Sequence, residues 1–286
     1  MADGGRNLRH GYALIAPTLA VVGLTLAAPL ALLLVASLKS QSGIGFEAGW
    51  TLSQYGDVLG RESYRILFGR SVLVAAAVTL VTVALAYPMA YFVAFHARRK
   101  FLWLILLTIP FWTSYLLRVF AWKIILGYGG VINSGLLGLG LIDQPLSFLL
   151  YNPFSVVVTL AHAWAAFAIL PIYVSLEKID RSLLEAASDL GDGKLRRFLR
   201  ITLPLSMPGV IGAAILIFVP TTGDFVTPAL VGGPKGTMIA NLIEVQFNAA
   251  GNWPLGAALS LVSMAVVAVI AGLVVTSARA AAKAAR

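Results

Sequence analysis

Six apolar stretches alternate with short polar ones along the chain, near residues 11–37, 71–95, 101–125, 154–177, 206–230 and 254–277. Crossing the hydrocarbon core of a bilayer takes about 20 apolar residues in a helix. Each stretch therefore predicts a membrane-spanning helix, and together they predict an all-α transmembrane fold. Composition agrees: 59% of the 286 residues are hydrophobic and 12% charged, where soluble domains carry roughly 25% charged residues. The first apolar run is longer than the roughly 7–15 residues of a signal-peptide core, so it reads as a retained anchor. No internal repeat or low-complexity linker interrupts the pattern, and a single transmembrane domain over 1–286 is the simplest parse.

The polar interruptions carry the charge. The net charge is +9, a value that nucleic-acid binding would also produce, but its distribution points to a membrane. With the N-terminus inside, the inner segments hold Arg6 and Arg9, then Arg98, Arg99 and Lys100, then Lys178, Arg181, Lys194, Arg196, Arg197 and Arg200, and finally Arg279, Lys283 and Arg286. The outer loops hold only Lys39, Arg61, Arg65, Arg70 and Lys235. This bias satisfies the positive-inside rule and predicts both termini in the cytoplasm. The absence of cysteine excludes disulfides, thiol catalysis and cysteine-ligated metals. His10, His96 and His162 are too scattered for a metal-ligand spacing.

The most distinctive interruption lies between the fourth and fifth stretches, over residues 178–204. Ser182-Leu183-Leu184-Glu185 has the form of a capping box opening a short helix, and Gly191 suits a left-handed helix end. A second short helix follows, with Leu195, Phe198 and Leu199 at helical spacing among Lys194, Arg196, Arg197 and Arg200. Pro204 and Pro208 then mark the start of the next apolar run. An apolar stripe on a helix-turn-helix at a membrane surface needs a partner to bury it.

Glu185-Ala186-Ala187, Gly191, Ile201 and Leu203-Pro204 also stand at the spacing of the cytoplasmic EAA loop, and the chain resembles permease subunits of ABC importers. The resemblance implies a six-helix type I importer fold, a five-helix core over about 67–280 with an added N-terminal helix. It implies that Glu185, Ala186, Ala187, Asp189, Gly191, Arg197, Leu203 and Pro204 form a coupling helix seated in a cleft of a separate ATPase. It further implies a second, similar permease subunit, a homodimeric ATPase, an extracytoplasmic solute-binding protein and a place in the bacterial inner membrane. ATP and magnesium would be used by the partner ATPase, with no cofactor and no catalysis in this chain. Its own sequence agrees, since Gly191-Asp192-Gly193-Lys194 lacks both the first glycine and the Ser or Thr of a phosphate loop. Tyr87-Pro88-Met89-Ala90-Tyr91, Pro110 to Ser114, Gly223-Asp224-Phe225 through Gly233 and Asn252-Trp253-Pro254 resemble the spermidine/putrescine branch. The same branch resembles carriers of opines, aminophosphonates and ferric iron.

Charges inside the hydrocarbon are costly and need a reason. Arg118 in the third stretch and Asp224 in the fifth fall at matched depth in the outer half, with His162 of the fourth not far below; opposite charges at one height allow an Arg118–Asp224 pair, and the sequence leaves open whether they touch. Two readings of this layer stand. In one, Arg118 and Lys123 snorkel to the outer interface and Asp224 is solvated there. In the other, Asp224 with Trp112 and Tyr115 faces the permeation path and meets a cationic substrate, Pro220 and Gly223 opening the helix beside a watery cavity. Glu244 and Asn241, before the sixth stretch, are weaker pathway candidates. An intramembrane enzyme would need a reactive constellation, and an ion-coupled carrier would need inverted repeats and several buried acids; neither is visible in the sequence.

Overall fold

The computed structural model describes residues 3–42, 45–47 and 49–284 and is helical almost throughout. The side chains of Arg6, Arg9, Arg279 and Lys283, and all of Arg286, on which the placing of both tails rests, lie outside the described residues. Helix α1 (Asp3–Ser37) is followed by a two-residue antiparallel ribbon, β1 (Gln41–Ser42) and β2 (Gly45–Phe46), and by α2 (Ser53–Gly60). Next come α3 (Glu62–Phe95), α4 (Lys100–Thr108), α5 (Tyr115–Leu126), α6 (Val131–Gly138) and α7 (Pro153–Glu177). The chain continues through α8 (Arg181–Asp189), α9 (Lys194–Arg197), α10 (Leu203–Thr222), α11 (Gly233–Gly236), α12 (Ile239–Phe247) and α13 (Trp253–Ala284). Six stretches among the described residues are long and apolar enough to cross a membrane.

By internal contacts the chain divides into two compact units, Met1–Glu62 with Ile243–Met264, and Ser63–Leu242 with Ala265–Arg286. In the first, α1 carries an exposed apolar surface along its spanning part, and Ser37 Oγ and Tyr55 Oη meet at 2.8 Å. The run Leu255, Ala257, Ala258 and Leu259 is buried, as small residues allow where helices approach closely.

The second unit is built around α7, the most enclosed of the spans. Its start is strongly specified: Asn152 Oδ1 accepts from the amides of Phe154 and Ser155, Ser155 Oγ accepts in return from the backbone N–H of Asn152, and Pro153 occupies the first turn. Proline fits there because the first-turn amide has no helical acceptor to lose. Leu160, Ile169, Ile172 and Leu176 of α7 and Ala213 and Ile217 of α10 are fully buried in one core with Val78 and Ala90 of α3. Gly209 lets α10 lie against α7: a Cβ there would strike the Pro171 carbonyl and approach Ser175 Cβ to 2.6 Å.

Three span boundaries differ from expectation. The second helix begins at Glu62 and not near 71, so the preceding loop is shorter by residues 62–70, because Glu62–Arg70 is helical though less apolar. The third stretch is not one helix: α4 tightens into a 3₁₀ turn over Ile109–Trp112 and stops, and the span-length stretch is Tyr115–Gly138. Pro110 cannot donate to the ladder, Thr113 Oγ1 bonds back to the Pro110 carbonyl at 2.7 Å, and Ser114 turns extended. The fifth span does not start at Pro204. It runs as one rod from Lys194 to Thr222, passing through a π turn at Phe198–Thr202. A wider turn just before Pro204 relieves the clash between the proline ring and the carbonyl four residues back.

Candidate functional site

The elbow between α7 and α10 has the two-armed shape expected, with a different opening. Its N-cap is Asp180, whose carboxylate accepts the Ser182 amide at 2.9 Å. The backbone bond from Ser182 holds the Asp180 carboxyl below the usual carboxylate range. Ser182 is already inside the helix, so the expected Ser182–Glu185 capping box is corrected: a cap residue must have extended backbone, and Asp180 has it (φ −66°, ψ 125°).

The other end of α8 is as expected. Gly191 has φ +86°. The Asp192 amide reaches the Ala187 carbonyl at 2.9 Å and the Gly191 amide reaches Ser188 at 3.0 Å, the pair of bonds that defines a Schellman turn. Asp192 then faces Arg196 and Arg200 at 3.6 and 3.7 Å, while Arg197 Nη1 donates to the Leu184 carbonyl at 3.3 Å and ties the second arm to the first.

Exposure divides the elbow residues. Ala187 is buried beneath the turn, Leu203 is half-buried, and Glu185, Ala186, Asp189, Gly191 and Pro204 face outward. Leu183, Leu190, Leu195 and Leu199 are also exposed, Leu190 at 88%. Behind them, Phe198 at the π turn packs edge-on to Tyr87 (5.7 Å) and Tyr91 (6.2 Å) of α3, and Tyr87 Oη meets Ser206 Oγ at 2.8 Å. The link from Phe198 and Ser206 to α3 was not visible in sequence, because nothing local signals which distant tyrosine a helix residue meets. Asp180 could have been found as the acidic residue two before Ser182.

About 30 Å along α10 from Leu203, at 1.5 Å per residue, lies the membrane-level group. Gly223 closes the helix as expected, although Pro220 stays inside it. Asp224 sits in the break, 9% exposed. Its Oδ1 accepts the amides of Val226 (2.9 Å) and Thr227 (3.3 Å), and Oδ2 accepts the Tyr115 hydroxyl, which also lies 2.5 Å from Thr227 Oγ1. Tyr115 and the backbone occupy the carboxylate, so the Arg118–Asp224 pair that the sequence left open is not formed. Arg118 lies over the Phe111 ring at 4.9 Å, with Nε and Nη1 buried and without acceptors. His162 stacks on Phe111 (6.3 Å) and meets Trp122 edge-on (5.5 Å).

The remaining candidates are elsewhere. Trp112 is 82% exposed and outside this hydrogen-bonded group. Glu244 is on α12 and accepts from Asn248 Nδ2 at 2.9 Å. Asn241 donates to the Phe225 carbonyl at 2.7 Å, a bond that fastens the start of α12 to the segment after the break. Among the described residues no cluster of His, Asp or Glu could hold a metal ion. Thr227 is the member of the Asp224 group that sequence reasoning missed.

Residues 78–284 match the family of binding-protein-dependent transport system inner membrane components. The chain belongs to that family. It is thus a multi-pass inner-membrane transport permease. The spermidine/putrescine transport system permease protein PotB of Escherichia coli K12 is 41% identical over 214 residues, 74% of this chain and 77% of that one. PotB of Haemophilus influenzae is 34% identical over 235 residues, 82% of each chain. The fold of this permease is also that of two crystal structures of a bacterial alginate ABC transporter, with TM-scores of 0.74 and 0.76 at 15% and 17% identity. The first covers 96% of both chains, and the second 97% of this chain and 96% of the other. The type I importer fold expected from the elbow is therefore the fold of this chain.

Proposed function

We propose that this permease forms one membrane half of an ATP-driven importer for a polyamine of the spermidine/putrescine kind, and that the elbow at residues 178–204 is the handle by which a separate ATPase moves it. The observation that carries this reading is the elbow's build. It is a rigid turn held by Gly191, Asp192 and Arg197, yet it presents Leu183, Leu190, Leu195 and Leu199 to the outside. A stiff scaffold with an unburied apolar face fits a socket on another chain. Because the second arm continues into α10 without leaving helical structure, a push on it is passed along the span towards the far side of the bilayer.

The companions implied are a second permease subunit, two ATPase copies using ATP and magnesium, and an external binding protein that delivers the solute, with both termini of this chain in the cytoplasm. The name carried by the PotB relatives supports the polyamine assignment. This chain supplies binding surface and motion, and the ATPase supplies the chemistry.

The test is reconstitution of the permease with its companion, ATPase and binding protein in proteoliposomes, with ATP-dependent putrescine uptake as the readout. Since the chain has no cysteine, Leu190→Cys gives a clean probe of sidedness. Labelling by an impermeant maleimide from the cytoplasmic side only, blocked when the ATPase is bound, is expected; labelling from the outside would overturn the handle.

A further inference from the structure

Asp224 is a buried carboxylate whose hydrogen bonds are met and whose charge is not. Its three donors, the amides of Val226 and Thr227 and the hydroxyl of Tyr115, are all neutral. Among the described residues no Lys, Arg or His stands within ion-pairing distance of it. The guanidinium of Arg118 is turned over Phe111 with two nitrogens, Nε and Nη1, unmet, so it is not the missing counter-charge.

We propose that Asp224 Oδ2 holds a primary ammonium of the substrate in transit, and that the Tyr115 hydroxyl is the exchangeable donor occupying that oxygen between substrates. This deepens the polyamine reading and rests on it. The two carboxylate oxygens have separate tasks. Oδ1 is fixed by two backbone amides, which aim the group and keep it in place. Oδ2 is held by a single side chain, and that side chain has somewhere else to go: Thr227 Oγ1 is already 2.5 Å from the Tyr115 oxygen.

When an ammonium arrives at Oδ2, the Tyr115 O–H turns to Thr227 Oγ1 and keeps an acceptor, the Thr227 O–H giving up the bond it had donated to Tyr115. When the ammonium leaves, the O–H returns. The ammonium brings the positive charge that the hydroxyl lacks, so it is the stronger partner of a carboxylate away from bulk water. The Tyr115 ring, 6.2 Å from that of Trp164, adds an aromatic face of the kind that attracts alkylammonium groups. The break after Thr222 lifts Asp224 out of the regular helix. Asp224 is thus a binding residue, and Tyr115 a positioning residue that acts through it.

The experiment uses the complete transporter in proteoliposomes, measuring radiolabelled putrescine uptake and ATP hydrolysis together. Asp224→Asn should raise the ATP hydrolysed per diamine imported at least tenfold, a change in coupling that misfolding, which removes both activities, does not produce. Asp224→Glu should recover most of the lost uptake. Tyr115→Phe should slow uptake several-fold, and adding it to Asp224→Asn should cause no further loss, since the hydroxyl has no task without the carboxylate. Coupling within twofold of wild type in Asp224→Asn, or losses that multiply in the double variant, would overturn the site and leave the polyamine reading intact. Wild-type vesicles that import no diamine would overturn both.

Discussion

Replacing Gly191 isolates the mechanical role of the elbow from everything else in the chain. At φ +86° the residue lies in left-handed space, and a Cβ built there meets nothing within 4 Å. The penalty of Gly191→Ala is therefore conformational and not steric, about 1–2 kcal/mol. That is roughly a 5- to 30-fold loss in the population of the turn. Little in the elbow offsets it: α8 has nine residues and buries only Ala187. When the turn opens, the Asp192–Ala187 and Gly191–Ser188 bonds go together, and the second arm loses its aim at the ATPase. The expected result in proteoliposomes is normal membrane insertion with binding-protein-stimulated ATP hydrolysis reduced by about the same 5- to 30-fold. Asparagine tolerates left-handed backbone better than alanine, so Gly191→Asn should be milder although its side chain is larger. An asparagine variant worse than the alanine one would mean that bulk against the docked partner matters, and not the turn; wild-type hydrolysis in both would refute the reasoning.

Other consequences are simpler to read. Gly209→Ala should destabilise the α7–α10 contact by about 1–3 kcal/mol, seen as a lower unfolding temperature in detergent. Adding Ser175→Gly should not rescue it, because the Pro171 carbonyl remains in the way. Phe198→Ala removes two edge-on aromatic pairs with α3, each worth about 0.5–1.5 kcal/mol beyond its area; uptake should fall more than ATP hydrolysis, and equal falls would show that the pairs only stabilise. Lys100, the first residue of α4, and Glu177, the last of α7, form a 2.7 Å ion pair with both side chains partly exposed. Lys100→Gln should therefore cost no more than about 1 kcal/mol, and 1 M salt should hide the difference in a thermal melt.

What was legible in the sequence is what short-range physics decides. Hydrocarbon demands continuous apolar helix, so six runs of leucine, valine and alanine are enough to announce six spans. A glycine between a short helix and a charged turn is a left-handed residue almost by itself, and Gly191 is one. The interruption at Gly223 and Asp224 was visible for the same reason. The break at Ile109–Ser114 was not, because both flanks are apolar and a proline in a membrane helix is as often tolerated as obeyed. The choice of Asp180 over Ser182 as the cap turned on which residue the end of α7 leaves in extended conformation.

Only the tertiary structure decided the pairing of polar groups. Arg118 and Asp224 carry opposite charges at similar depth, and charge alone would join them. Tyr115 lies one turn before Arg118 and places its hydroxyl on the carboxylate, while Phe111 offers the guanidinium its ring. Depth along a helix follows from counting residues, but the direction a side chain faces depends on how the helices are rotated and packed against one another. That rotation is settled by distant contacts such as Gly209 against Pro171 and Phe198 against Tyr87 and Tyr91, about which a linear string of residues is silent.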